Sequence, residues 1–380
     1  VLIATTICPA EETSPDERPA FQLWAGGAVP KSSEAPLLRG VEFHVVKQRV
    51  SEIDGYNWLH GVAVVRHNGV LYSSFGHNRG SENTADEAAN GRKSSDGGRT
   101  WGPLFTIDAG AGNLAVSHGV FLSHEGKLWA FHGSFFGRMQ QVHTRAYLLD
   151  DETDQWEPKG VVAEDGFWPM QAPQKMDDGN WIMAGIAVIG SVGGADDHAA
   201  VALSHAGDFT RWTVVAVPNP ADMDMWGESA LIAEGADVLL IARYRLPIAL
   251  AATSRDYGRT WTTIRPSNLP MAASKPYAGV LSTGQRYLIG TTTADSGNRR
   301  SPLTIAVGRP AEKVFSKIYR IRDAVHDGPG ESNPDCRLSY PYAEEYGGKL
   351  YVVYSNDGNR GGNRNSAELA VILLESLSAD

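Results

Sequence analysis

The chain holds 380 residues, 42% of them hydrophobic and 21% charged, with a net charge of −10. No run of Lys or Arg supplies the basic face that phosphate binding needs, so nucleic acid is excluded as a partner. No apolar stretch is long enough to span a membrane. The 41 Gly and 10 Trp suit many short strands joined by tight turns, with aromatics for packing or for stacking on sugar rings.

The first segment, Val1-Leu2-Ile3-Ala4-Thr5-Thr6-Ile7-Cys8, reads as the tail of a signal peptide, which predicts a secreted or periplasmic protein. Residues up to about 40 are Pro-rich and irregular, and are expected to wrap the body of the fold. Val41-Glu42-Phe43-His44-Val45-Val46 alternates like a strand and is expected to pair with the last strands of the chain.

From residue 67 onward one unit recurs, a turn followed by an apolar strand. It opens as His67-Asn68-Gly69-Val70-Leu71-Tyr72 and His124-Glu125-Gly126-Lys127-Leu128-Trp129. It returns around Trp181, Val238, Tyr287 and Leu350. Positions 71, 128, 181, 238, 287 and 350 lie 57, 53, 57, 49 and 63 residues apart. That period matches a four-stranded propeller blade, because one such sheet leaves its faces unburied while a ring of them covers both. Dividing the length by the period predicts an all-β, seven-bladed propeller, with six blades also allowed. The chain is read as one domain, 1–380. Cys8 and Cys336 are the only cysteines and sit near opposite ends, which meet in a ring. They are either a disulfide or two thiols, and they exclude a Cys-based metal motif.

Ser94-Ser95-Asp96-Gly97-Gly98-Arg99-Thr100-Trp101 and Ser254-Arg255-Asp256-Tyr257-Gly258-Arg259-Thr260-Trp261 share the pattern S-x-D-x-G-x-T-W, and a degenerate copy runs from Ser204 to Trp212. The pattern resembles the Asp-box of sialidase-like propellers. In it Asp and Gly shape a hairpin turn and Trp packs beneath, at the blade periphery. It speaks for fold and not for chemistry.

Candidate chemistry lies elsewhere. His60 in Trp58-Leu59-His60-Gly61, His77 in Gly76-His77-Asn78 and His118 in Ser117-His118-Gly119 each sit beside Gly or Asn at a strand end, where an imidazole serves as acid or base. The alternative for each is a half-buried side chain bonding a carbonyl. Arg138, Arg243 and Arg245 follow apolar strands. They are solvated edge charges or clamps for a sugar carboxylate, and Arg138 is the preferred clamp.

These segments, with Glu82-Asn83-Thr84, Met271-Ala272-Ala273-Ser274-Lys275-Pro276-Tyr277 and Ser339-Tyr340-Pro341-Tyr342-Ala343, resemble a group of propeller enzymes acting on rhamnose–uronate linkages. The group includes L-rhamnose-α-1,4-D-glucuronate lyases, ulvan lyases and rhamnosyl-glucuronate hydrolases. The resemblance implies a polysaccharide lyase that removes the C5 proton of a uronate and expels the oxygen at C4. Catalytic roles then fall to His60, His77 and Arg138. Substrate contacts fall to Trp58, Asn78, His118, Arg243, Lys275, Tyr277 and Tyr342. A neutral His takes the proton once an Arg, assisted by Asn78, has neutralised the carboxylate. The expected substrate is an acidic oligo- or polysaccharide, met by a monomer.

Other readings compete. A sialidase-type hydrolase surrounds the substrate carboxylate with three Arg and attacks with a Tyr backed by Glu. Arg243, Arg286 and Tyr342 offer part of that set, but where an Arg-Ile-Pro motif would be expected there is only Leu38-Arg39-Gly40. A rhamnosidase would cut the same bond with water. A non-catalytic glycan-binding propeller would use Trp58, Trp168 and Tyr277 for stacking. No cofactor is required by any reading. His60, His77 and His118 are a possible Zn²⁺ set without short-range spacing, a structural Ca²⁺ in the central channel is also open, and Asp196-Asp197-His198 is given no role.

Overall fold

The structure, a computed structural model, describes residues 20–190 and 197–379. The described strands form six antiparallel sheets, five of four strands and one with an additional short strand, each running from the inside of the ring outward and, in all but the last, built from strands consecutive in the chain. Blade 1 is Trp58–His67, Val70–Asn78, Ala88–Ser94 and Phe105–Asp108. Blade 2 is Leu114–His124, Lys127–Phe136, Gln140–Asp150 and Gln155–Ala163. Blade 3 is Phe167–Pro169, Trp181–Ala187, His198–His205 and Asp208–Ala216, with Gln174–Lys175 as an extra short strand. Blade 4 is Met225–Glu234, Asp237–Tyr244, Ile248–Ser254 and Arg265–Pro270. Blade 5 is Tyr277–Val280, Arg286–Gly290, Leu303–Val307 and Lys317–Arg322. Blade 6 is Leu338–Tyr346, Lys349–Asn356, Ser366–Leu373 and, as its outer strand, Glu42–Lys47 from the start of the chain.

Six is the lower of the two counts the spacing allowed. Dividing the full length by the period overshoots because residues 20–40 make no blade. Instead they run along the outer strands of blades 4 and 5, through bridges of Phe21 to Ser267, Trp24 to Phe315 and Leu37 to Arg320. Leu23 and Trp24 are buried there, and their amides donate to the Asn268 side chain. The ring closes as expected, with Glu42 opposite Val371 and His44 opposite Leu369. This seam is made by backbone pairing, which covers the edge of Ser366–Leu373. Cys8 lies outside the described residues, and Cys336 is buried.

The Asp-boxes occupy hairpins between third and fourth strands, on the outside of the ring. In blade 1 the Ser94 hydroxyl donates to Asp96 and accepts from the Gly98 amide, Thr100 donates twice to Asp96, and the Trp101 indole donates to the Gly98 carbonyl. Blade 4 repeats the set with Ser254, Asp256, Gly258, Thr260 and Trp261. In the degenerate copy of blade 3 Asp208 serves Thr210, and the Trp212 indole donates to Phe209.

The innermost strands of blades 1, 2, 4 and 6 share one irregularity. Each carries a register shift near its start, at His60/Ala63, Val116/Gly119, Met225/Ser229 and Ser339/Tyr342. A bulge of this kind leaves a residue unpaired and re-aims its neighbours. Gly61 and Gly227 supply left-handed backbone at two of them, with φ 66° and 78°, and at the fourth Tyr340 itself adopts φ 56°. All four bulges lie at the end of the ring where the innermost strands begin, and that end holds the main cavity.

Candidate active site

The cavity has a volume near 390 Å³ and draws on every blade. Its chemistry is divided by side. Glu228, Arg243, Arg300, Arg337 and Tyr340 come from blades 4, 5 and 6. Met139, Trp168, Met170, Ile186 and Val188 make an apolar wall from blades 2 and 3. Glu82, His60 and His118 lie between.

On the charged side the Tyr340 hydroxyl donates to one oxygen of Glu228. Arg243 Nη1 donates to the other oxygen at 2.5 Å and reaches the Tyr340 oxygen at 3.3 Å. Arg243 and Arg245 both lie 4.5 Å from the Trp226 ring, which holds the Arg243 guanidinium from the side. The Arg300 guanidinium carbon is 5.9 Å from the Tyr340 ring, and this side chain is fixed by donation to the Ala273 carbonyl. A non-Gly residue held in left-handed backbone costs of order 1–3 kcal/mol, and such residues cluster at functional sites. Burial, and after it the charge of Glu228, pushes the Tyr340 hydroxyl well above the usual tyrosine range, while Arg243 and Arg300 oppose the shift.

Glu82 comes from the loop after the second strand of blade 1, and Asn363 donates to it at 2.8 Å. Burial raises its carboxyl above the usual range, the Asn363 bond opposes this, and the charge of Glu228 raises it further. His60 packs against Tyr340 with ring centroids 3.9 Å apart, and lies 6.0 Å from His118. The Asn365 amide nitrogen donates to the Leu59 carbonyl at 2.6 Å and contacts His60 Nδ1 at 3.1 Å. The carbonyl fixes which way the amide faces, so His60 Nδ1 accepts and its proton sits on Nε2. Burial drives both imidazoles to the neutral form, His60 well below its ordinary range and His118 to about 3. The charges of His118 and Arg300 act next on His60, and that of Lys275 on His118.

The structure brings together Trp58, His60, His118 and Arg243 of the residues expected from sequence, and Trp168 joins them. It does not bring His77 or Arg138 to them. His77 pairs opposite Leu59, one step off the register of His60, and so faces the other side of the sheet. There it stacks on Tyr56 at 3.6 Å and contacts Asn90. Arg138 is exposed at the end of the second strand of blade 2, and its neighbour Met139, at φ 59°, turns into the cavity instead. Asn78 staples its own turn, donating to Ser81 and Thr84 and accepting from Gly80.

Lys275, Tyr277 and Tyr342 lie around the ring axis, outside the cavity lining. Lys275 is buried and donates to the carbonyls of Met170 and Pro341, and burial lowers it to about 7 although Glu228 opposes the shift. Tyr277 and Tyr342 pack together at 4.7 Å, and the Tyr342 hydroxyl accepts from the Phe121 amide. Arg286 starts a second strand, which is the opposite end of the ring, and pairs with Glu234. Arg39 is exposed on the outer segment. Among the described residues no group of three His, Cys, Asp or Glu is placed to hold a metal ion.

Glu228, Tyr340, Arg300, Arg337 and Glu82 escaped the sequence reading. Glu228 carried a usable signal, a lone acid inside the apolar run Met225 to Ala233. Tyr340 and Tyr342 stand two apart and would share a face in a regular strand. The bulge separates them, sending the first to the cavity and the second to the axis.

Several solved structures share this fold. A protein of unknown function from Dyadobacter fermentans DSM 18053 matches at 14% identity and TM-score 0.65, over 88% of this chain and 99% of that one. The NanB sialidase of Streptococcus pneumoniae matches at 10% identity and TM-score 0.68, over 88% and 71%. Trypanosoma rangeli sialidase matches at 14% identity and TM-score 0.64, over 90% and 60%. At these identities the likeness is one of fold. None of the curated proteins matches the chain significantly by sequence. The BNR repeat-like domain family matches residues 70–352, most of the chain, from the second strand of blade 1 into the second strand of blade 6. The chain therefore belongs to the BNR repeat-like domain family.

Proposed function

We propose that the cavity hydrolyses the glycosidic bond of an acidic sugar. The observation that carries this reading is the Tyr340–Glu228 pair with Arg243 bonded to both members. Tyr340 attacks the anomeric carbon, and its proton passes to Glu228 as the bond forms. Glu82, whose carboxyl is shifted towards the protonated form by burial, gives its proton to the departing sugar oxygen. Water then attacks the anomeric carbon and gives a proton to the Glu82 carboxylate, while Glu228 returns its proton to the Tyr340 oxygen as the aryl–sugar bond breaks. A tyrosine suits an anomeric centre beside a carboxylate, because a carboxylate nucleophile would be repelled there. Arg243, Arg300 and Arg337 offer the forks that hold that carboxylate. The sialidases among the fold neighbours support the same reading.

A second reading is favoured by one observation, the neutral imidazole of His60 beside Tyr340. In it the cavity takes a rhamnose–uronate linkage, the arginines neutralise the uronate, and His60 or Tyr340 moves the C5 proton in a β-elimination. One pair of assays separates the two. Hydrolysis frees the fluorophore from an umbelliferyl glycoside of N-acetylneuraminic acid or glucuronic acid. Elimination from gum arabic or ulvan produces an unsaturated uronate absorbing in the near ultraviolet. Fluorophore release lost in Tyr340→Phe supports the first reading, and ultraviolet product from gum arabic or ulvan overturns it in favour of the second.

A further inference from the structure

Lys275 is expected from sequence to touch substrate, yet it lies beside the ring axis, 2% exposed, and takes no part in the proposed proton transfers. Its segment, residues 271–276, crosses from the outer strand of blade 4 to the innermost strand of blade 5. There Lys275 Nζ donates to the Pro341 carbonyl at 2.8 Å and to the Met170 carbonyl at 3.0 Å. An amine is costly to bury, so its bonds must answer a need of the backbone it meets.

Both acceptors lie where an innermost strand departs from regular pairing, on opposite walls of the cavity. In blade 6 the register steps from Ser339 opposite Ser355 to Tyr342 opposite Val353, so Tyr340 and Pro341 together face Tyr354 alone. Pro341 has no amide, which makes its carbonyl its single backbone hydrogen-bonding group, and Lys275 takes it. In blade 3 Met170 follows directly on Phe167–Pro169, and its side chain lines the apolar wall. Lys275 therefore ties the peptide next to Tyr340 to the wall that faces it. The same segment holds Arg300 through the Ala273 carbonyl.

Gln171 offers a contrast from within the same axis. It is 1% exposed, donates to the Leu231 and Ala278 carbonyls and accepts from the Leu231 amide. Those partners sit in regular register, Leu231 opposite Leu240 and Ala278 opposite Leu288. Gln171 thus joins blades 3, 4 and 5 without touching a bulge, whereas Lys275 reaches the bulge that carries Tyr340.

We infer that Lys275 is a positioning residue for Tyr340: by holding the Pro341 carbonyl against the blade 3 wall, it fixes the bulge and with it the place of the Tyr340 hydroxyl over the sugar. This rests on the reading of Tyr340 as the nucleophile and adds what sets its position. Two N–H groups suffice for two carbonyls, so the neutral amine serves as well as the ammonium.

The test is steady-state kinetics on the umbelliferyl glycosides of N-acetylneuraminic acid and glucuronic acid, with Tm measured for each variant. Lys275→Met fills the same space without an N–H. Its kcat is expected to fall by about ten- to a hundredfold, the loss that accompanies displacement of a reacting group by about 1 Å. Its KM is expected to stay within about twofold, since the arginines that hold the carboxylate remain. Gln171→Met is expected to lower Tm and to keep kcat within about twofold. In Lys275→Ala, propylamine is expected to restore kcat saturably, while propanol, with one O–H for two carbonyls, restores little. That pair of additives carries the test by itself where Lys275→Met does not fold. An unchanged kcat in Lys275→Met, an equal loss in Gln171→Met, or equal rescue by propanol overturns the Lys275 assignment and leaves the cavity reading intact. No turnover of either glycoside by the unaltered protein overturns the cavity reading, and the Lys275 assignment with it.

Discussion

The Tyr340 hydroxyl donates to the Glu228 carboxylate across the cavity, joining the innermost strands of blades 6 and 4 through residues 112 positions apart in the chain. Neither side chain would reach the other from a regular strand. Each sits in a bulge, one with Gly227 before Glu228 and one with Tyr340 itself in left-handed backbone.

Tyr340→Phe removes the attacking oxygen and leaves the ring that packs on His60. Turnover of the aryl glycoside is expected to fall by about a thousandfold or more, equally in kcat and kcat/KM, because the lost interaction acts in the transition state. Circular dichroism and Tm are expected to stay near those of the unaltered protein. A variant that keeps full kcat removes Tyr340 from the reaction.

Arg243→Ala leaves Glu228 buried without its cation. Breaking one side of a buried pair typically costs about 3–5 kcal/mol, and denaturant unfolding should report a loss of that order together with lost activity. Arg243→Lys keeps the charge but not the fork, so it should recover more stability than turnover. Comparing the two by urea titration and kinetics checks the separation.

Glu82 must be protonated to act as the acid, and its carboxyl is raised by burial first and by Glu228 among the charges. Activity therefore falls as pH rises through that raised value. Glu82→Gln should remove most kcat on substrates with poor leaving groups, retain more on activated aryl glycosides, and abolish this alkaline limb. A kcat/KM profile measured from acid to alkaline pH decides, and an unchanged limb in the variant assigns it elsewhere.

Gly61 has φ 66°, and a Cβ there would lie 2.1 Å from the His118 ring. Gly61→Ala should destabilise by at least about 2 kcal/mol through strain and displacement of that ring. Its companion measurement is catalytic, since a shifted His118 distorts the cavity wall. Gly69→Ala, also left-handed but with open space around it, isolates the backbone part.

The Asp-box acid Asp256 is lowered to about 2, first by the Thr260 hydroxyl and then by the Thr260 amide. A lowered folded value means that its contribution to stability is present above the unfolded aspartate value near 3.9 and is lost as pH falls towards about 2. Asp256→Asn is expected to lower Tm by a few degrees at pH 7. The gap from the unaltered protein should shrink between about pH 4 and pH 2, as thermal scans at several pH values would record.

The periodic turn-and-strand unit, the paired S-x-D-x-G-x-T-W segments and the alternating residues 41–46 made the ring, its Asp-box hairpins and its closing strand readable from the chain, because they are local patterns with a period of their own. The Pro-rich, irregular composition also marked residues up to about 40 as a wrapping segment, but the blade count stayed open between six and seven because dividing the whole length by the period counted that segment too. His60 and His118 were found from strand ends beside glycine, Arg243 from its place after an apolar strand, and Trp58 as an aromatic suited to stacking on a sugar. Glu228, Tyr340 and the separation of His77 from His60 were decided by tertiary structure. Which face a strand residue occupies depends on register, and four bulges reset that register at the mouth of the ring.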